Sequence, residues 1–401
     1  MRRSWLLALP LVAWLGCGAQ GGMGTDGGGG NGGGGGGAGG VGGSGGGGGA
    51  FHPGSVSASC KAGRPSGGQL ADSSHPTTIV GSGTPASCTF AALDGAVTAG
   101  GVVTFDCGAD PVTIAVTATL HPPIDKDTVI DGGGLVTLDG GDAVQILRFD
   151  SANWQVNESR LTLQRITLTR GKTTPTQMIP TAPAPCSQGW DDGEGGALYM
   201  RDGNLTVIDS IFTANHGAPL GPDTGGGAIY ILGSKHGALI VGSTFTDNSA
   251  SNGGGIGCLF SELDVYDTLL SGNAGSGHDA NNDDASQCAV MNNGQNEIGS
   301  GGNGGALYSD GASTAQNPVN IVLCGDEIEN NAAGVNAFGG GIFFTSNNYG
   351  GTLSIADSTI TGNSGGHWTN VSTGSTTDAG TAVGTNAKSI TITSSTVQGL
   401  P

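Results

Sequence analysis

The chain has 401 residues, 81 of them glycine, with 11% charged and 36% hydrophobic residues and a formal net charge of -19. That charge, with a pI near 4.3, argues against nucleic acid and anionic membrane surfaces as partners, because their phosphates would be repelled; polyanionic sugars would need a bridging cation. So much glycine with so few charges suits either disorder or a fold of tight turns and small side chains, and the two occupy different stretches here.

Residues 1–17 read as an export signal. Arg2 and Arg3 form the charged start, an apolar run from Trp5 to Leu15 is broken only by Pro10, and Gly16-Cys17 follows. The run is too short to span a bilayer and has the length of a signal core. Cys17 in this setting resembles the bacterial lipoprotein signal, in which the cysteine becomes the diacylated N-terminus, although Trp14 and Leu15 stand where a leucine and a small residue are usual. The other reading is ordinary signal-peptidase cleavage near Ala19, with Cys17 discarded. Residues 18–55 are glycine-rich, nearly all glycine over 21–50, and cannot form a core, so they are expected to be a disordered tether that holds a folded body off a membrane surface. This implies a lipid-anchored protein of the outer membrane or cell surface, facing outward.

Residues 56–110 are read as an N-terminal cap with the first strands, and 111–401 as one repeat domain. The repeat appears when Phe212, Phe245, Leu270, Ile328 and Ile360 are aligned. Seven positions earlier stand Leu205, Ala238, Leu263, Ile321 and Leu353; five earlier, Val207, Ile240, Val265, Leu323 and Ile355. Three positions later there is always asparagine: Asn215, Asn248, Asn273, Asn331 and Asn363. Weaker rungs flank these, with Leu161, Leu163 and Leu168 upstream and Ile390, Ile392 and Val397 downstream.

Each rung follows a glycine-led strand: GGALYM, GGAIYI, GGIGCL, GGALYS and GGIFFT. Alternation places Leu198, Ile229, Ile256, Leu307 and Ile342 on one side and their neighbours on the other. Coils of roughly 25 to 50 residues with three short strands match a stacked solenoid. The asparagine column is expected to be structural, each inward amide satisfying turn backbone and bonding the amides above and below.

The pairing of GGALY with FTAN and of GGAIY with FTDN resembles the repeats of chlamydial polymorphic outer-membrane proteins and of right-handed β-helix surface proteins with a pectate-lyase-like fold, over roughly residues 160–400. The resemblance implies an all-β, single-stranded right-handed parallel β-helix. It also makes AALDGAVTAGGVVTFDCG and TVIDGGGLVTLDGG the capping helix and first coils. On activity it is nearly silent, since such proteins include adhesins, passengers and enzymes.

Of the eight cysteines, Cys17 belongs to the leader, which leaves an odd number in an oxidising compartment. Cys88 and Cys107 could staple the cap to the body, and Cys288 with Cys324 forms a plausible second pair. Cys258 points inward by alternation, as a buried thiol would. The spacings do not resemble zinc motifs.

Insertions fall at one corner of the coil, after the asparagine column: Lys172 to Glu194, Gly275 to Asn303 and Gly365 to Ala379. Inserts at equivalent corners line one edge of a solenoid, so a groove is expected there. Asp191, Asp192 and Glu194 are candidates for acid and base at a glycosidic bond, against the plain reading of solvated acidic loops. Asp279, Asn281 and Asp283 begin like a calcium loop, but Asp284 replaces its turn glycine and Val290 its last acidic residue. Calcium is the one cofactor these residues suggest. Tyr199, Tyr230, Tyr308 and Phe343 share an outward column and, with Trp190 and Trp368, could hold a sugar chain by face contacts; otherwise they stack between coils or lie beneath loops. A monomer is expected. Two functions stand: a non-catalytic surface module for adhesion or carbohydrate contact to polysaccharide or a neighbouring cell surface, and a cell-surface polysaccharide hydrolase or lyase.

Overall fold

The computed structural model describes residues 56–176, 192–280, 301–373 and 387–399. Within them the chain is a right-handed parallel β-helix closed at its N-terminal end by one helix. The helix Phe90–Ala99 starts at Thr89, whose hydroxyl accepts from the Ala92 N–H at 3.2 Å, and ends at Gly100 with φ 65°. It buries Leu93, Ala96 and Val97 over the first coil. Strand Thr78–Gly81 pairs in parallel with Gly101–Asp106, and the Cys88–Cys107 disulfide ties the helix entry to the end of that strand.

The coils stack in register. One sheet has seven parallel strands, from Leu147–Asp150 through Leu198–Arg201, Ile229–Leu232, Ile256–Leu259, Leu307–Asp310 and Ile342–Phe344 to Val371–Ser372. Leu147, Leu198, Ile229, Ile256, Leu307, Ile342 and Val371 form one buried inward column. The opposite wall stacks Leu161, Leu205, Ala238, Leu263, Ile321, Leu353 and Ile390. The third side stacks Leu168, Phe212, Phe245, Leu270, Ile328, Ile360 and Val397, with the rings of Phe212 and Phe245 4.8 Å apart and nearly parallel. Together these walls form one apolar cluster along the axis.

The asparagines form a continuous ladder. Each Nδ2 donates to the next Oδ1 at 2.9–3.0 Å from Asn215 to Asn363, and also to a strand carbonyl of the coil before, such as Leu168 O or Phe212 O. Each Oδ1 also accepts the backbone N–H one coil earlier, so no amide atom in the interior of the ladder is left unpaired.

Residues 56–77, assigned with the cap from the sequence, run instead as a strap along the outside of the coils. The strap ascends against the coil order: Lys61 pairs with Asp357, the Cys60 N–H donates to Asp267 at 2.7 Å, Arg64 pairs with Asp209, Ala71 exchanges hydrogen bonds with Gln164, and Ser73 donates to Asp131. Asp209, Asp267 and Asp357 occupy one corner of alternate coils with φ of 47–50°, and Gly242 and Gly325 hold it between them with φ of 61° and 74°, so a turn requirement also lines up the carboxylates that hold the strap. Cys324 lies on the outer face beside this corner and is bonded to Cys60. This corrects the expected Cys288–Cys324 pair: the outward sulfur of Cys324 meets Cys60 of the strap, and Cys288 lies outside the described residues. Cys258 is a buried free thiol whose pKa burial pushes far upward.

Candidate functional site

The outward column of the second wall runs Thr162, Thr206, Leu239, Asp264. The strap lies over it because two glycines allow close approach. A Cβ on Gly68 would sit 3.1 Å from Val241 Cγ2, and one on Gly67 would meet Leu239 at 3.6 Å in a backbone with φ +84°. Between strap and sheet is a groove of about 410 Å³ lined by Gln69, Arg160, Thr206, His236, Glu262 and Asp264, among others. The volume falls in the usual range of small-ligand sites, about 300–1,000 Å³.

Several lining groups are held in place. Arg160 Nη1 donates to Thr206 Oγ1 at 3.1 Å and to Leu205 O at 3.3 Å. Asn320 Nδ2 donates to Glu262 Oε1 at 3.2 Å, and His236 Nε2 lies 2.7 Å from Glu158 Oε2. Burial, reinforced by the negative charge of Glu262, pushes the Asp264 carboxyl up to about 6. The groove thus offers a carboxyl raised to about 6, a second carboxyl beside it, a guanidinium, an imidazole, hydroxyls and an amide around the apolar side chains of Ile208 and Leu239. That set can bind polyhydroxylated ligands by hydrogen bonds from both walls.

The residues singled out from sequence lie elsewhere. Asp192 accepts from the Thr176 N–H and hydroxyl, and Glu194, 1% exposed, accepts from the Asp192 N–H at 2.9 Å. Burial removes Glu194 as a solvent-facing acid. Trp190 and Asp191 lie outside the described residues, as do Cys17, Asn281 and Asp283. Asp279 is held by Asn336 Nδ2 at 2.9 Å and His278 Nδ1 at 2.8 Å, which lower its pKa. Trp368 is half-buried at a turn with φ 57°. Among the described residues, one set of potential metal ligands converges, Cys60, Cys324 and Asp357, and its two sulfurs are bonded to each other.

The aromatic column requires a correction. Tyr199, Tyr230 and Tyr308 are fully buried and Phe343 is 7% exposed, so none offers an open face to a sugar. Alternation does turn them away from the main core, but a second apolar cluster with Leu232 and Leu259 encloses them. Tyr230 OH donates to Asp223 O at 2.8 Å and Tyr308 OH to Asp223 Oδ1 at 3.0 Å, so the segment carrying Asp223 lies over the rings.

The strap groove escaped sequence reading because its walls are about 90 to 200 positions apart and only the coil count brings them together. A second polar ladder was also missed: Ser210, Ser243, Thr268, Asp326, Ser358 and Ser395, each accepting the N–H of the preceding member. Its signal is present two positions before the Phe212 column, in DSIF, GSTF, DTLL, GDEI, DSTI and SSTV.

Compared with protein-family models, curated proteins and solved structures, the chain finds no match.

Proposed function

We propose that this chain is a lipid-anchored, outward-facing surface module that binds carbohydrate without turnover in the groove beneath its N-terminal strap. The observation that carries this reading is the set of side chains convergent there, Gln69, Arg160, Thr206, His236, Glu262 and Asp264, around about 410 Å³ of space. The signal-like leader and the glycine tether support display at a surface. Saturable binding of the purified protein to members of a plant and microbial polysaccharide panel is expected, with loss in Glu262→Gln and Asp264→Asn and no shortening of the chains. Binding unchanged in both variants would refute the assignment of the groove.

A second reading, a polysaccharide hydrolase, draws on Asp264, which takes up a proton near pH 6 beside Glu262. The two are separated by one residue and project from the same wall, so they would lie on one side of a sugar chain. Hydrolysis calls for carboxyls flanking the scissile bond, and this geometry favours binding. Release of reducing ends, abolished in Asp264→Asn, would reverse that preference; unsaturated products would instead indicate a lyase.

A further inference from the structure

Beyond the asparagine ladder, the coils carry another cross-coil row: Lys172, His216, Ser249, Ala274, Ala332 and Ser364. Within it, His216 Nδ1 lies 2.8 Å from Ser249 Oγ, and His216 Nε2 lies 3.8 Å from Asp142 Oδ1. Asp142 projects from a turn with φ 56° whose shape is held by its N–H donating to Arg170 O at 2.8 Å. The His216 and Asp142 side chains are 37% and 49% exposed, and Ser249 is half-buried, so the group is open to solvent. The Thr213–Thr246 hydroxyl pair ties the same two coils at 3.0 Å without any carboxylate. A mere cross-coil tie therefore needs neither a base nor an acid.

We propose that Ser249, His216 and Asp142 form an acyl-transfer site for esters of short, uncharged carboxylic acids, separate from the strap groove and independent of its reading. A proton on Nε2, the nitrogen 3.8 Å from the Asp142 carboxylate, leaves the Nδ1 lone pair facing the Ser249 hydroxyl, and the carboxylate then stabilises the imidazolium that forms. Ser249 Oγ attacks the ester carbonyl as His216 takes its proton. The acyl C–O bond then breaks, and the alcohol leaves with that proton. Water attacks the acyl-serine by the same relay, releasing the acid and restoring Ser249. The row continues past Ser249 with the half-buried methyl side chains of Ala274 and Ala332, against which the proposed short acyl group would lie. The surrounding charges are Asp142, Lys172 and the Arg170–Asp139 pair, and the net charge of -19 disfavours anionic esters. Local backbone donors are already engaged: Ser249 N donates to Asn215 O and Gly217 N to Ser249 O. The oxyanion is consequently left to solvent, so acylation is expected to be easier to detect than rapid turnover.

The test uses an alkyl fluorophosphonate on the full-length protein, with the adduct mapped by mass spectrometry. Its reaction forms a Ser249 Oγ–P bond, breaks P–F, releases fluoride and passes the serine proton to His216. An adduct at Ser249 in the folded wild type is expected. His216→Gln, which keeps a cross-coil hydrogen bond but no base, should lower the labelling rate by about 10²-fold. Asp142→Asn should lower it less and Asp142→Glu should restore it, a rescue that a purely structural carboxylate would not produce in labelling at unchanged unfolding midpoint. Absence of an adduct on wild-type Ser249, or equal labelling of His216→Gln, would overturn the proposal. The wild-type arm decides even if a variant fails to fold.

Discussion

Cys60 is bonded to Cys324, 264 positions further along the chain, and this bond clamps the strap across the coils that form the groove. The other strap contacts are noncovalent: surface ion pairs, which are individually weak, and hydrogen bonds, among them the reciprocal pair between Ala71 and Gln164. Breaking the disulfide by Cys60→Ser with Cys324→Ser is expected to destabilise the protein by roughly 2–5 kcal/mol in denaturant titrations. It should also weaken groove binding, since Ser66, Gly67 and Gln69 belong to the detached wall. Equal binding by wild type and the double serine variant would show that the strap does not form the site.

The asparagine ladder predicts a steep cost at its centre. Asn273→Ala removes the acceptor for the Asn248 N–H and side-chain amide and the donor to Phe245 O and Asn331 Oδ1. Buried groups left unpaired should cost about 3 kcal/mol together, read as a fall in the urea midpoint. Asn273→Asp keeps the acceptor but sets an oxygen against Asn331 Oδ1, so it should be at least as harmful at neutral pH. A loss below 1 kcal/mol for both would show that the column is dispensable.

A pH prediction follows from Asp326, which replaces a hydroxyl in the serine and threonine ladder. Burial raises its pKa well above the ordinary carboxylate value, and Asp264 is raised to about 6 by burial and Glu262. A carboxyl raised on folding binds its proton more tightly in the native state. Its stabilising contribution is present below the unfolded value near 4 and is lost as pH rises through the folded value. Stability should therefore decline above about pH 4 from these two groups, and Asp326→Asn should flatten that decline and stabilise the protein by about 1–3 kcal/mol at pH 7. Unfolding midpoints across pH 4 to 8 provide the check; parallel curves for wild type and variant would contradict it.

Gly257 breaks the aromatic column for a steric reason. A Cβ there would lie 2.6 Å from Tyr230 Cδ2 and 2.9 Å from Gly226 N. Gly257→Ala should cost about 1–3 kcal/mol through overpacking, and much of that cost should vanish in a Tyr230→Ala background, because the two sites share one contact. Additive losses in the double-mutant cycle would rule out the clash.

Much of the architecture was legible because its periodicities are local. The alignment of Phe212, Phe245 and Leu270 is an arithmetic of chain spacing, and the coordinates stack those residues in register. Alternation also separated inward Cys258 from outward Cys324. It could not say what covers an outward face, which is why Tyr199, Tyr230 and Tyr308 read either as a sugar platform or as rings beneath loops, and the structure buries them under the segment carrying Asp223. Nor could it pair Cys324, because the strap carries no repeat and its partner depends on which coil it crosses.

The amino-acid sequence by itself determined the coil, its apolar columns and its amide ladder, since each needs only the side-chain alternation and turn chemistry of a short repeat. Only the tertiary structure decided which outer faces are open and which remote groups meet: Gln69 with Asp264 across the groove, and Ser249 with His216 and Asp142 at the corner. Those meetings depend on how many coils intervene and how tightly they stack, quantities that no local pattern encodes.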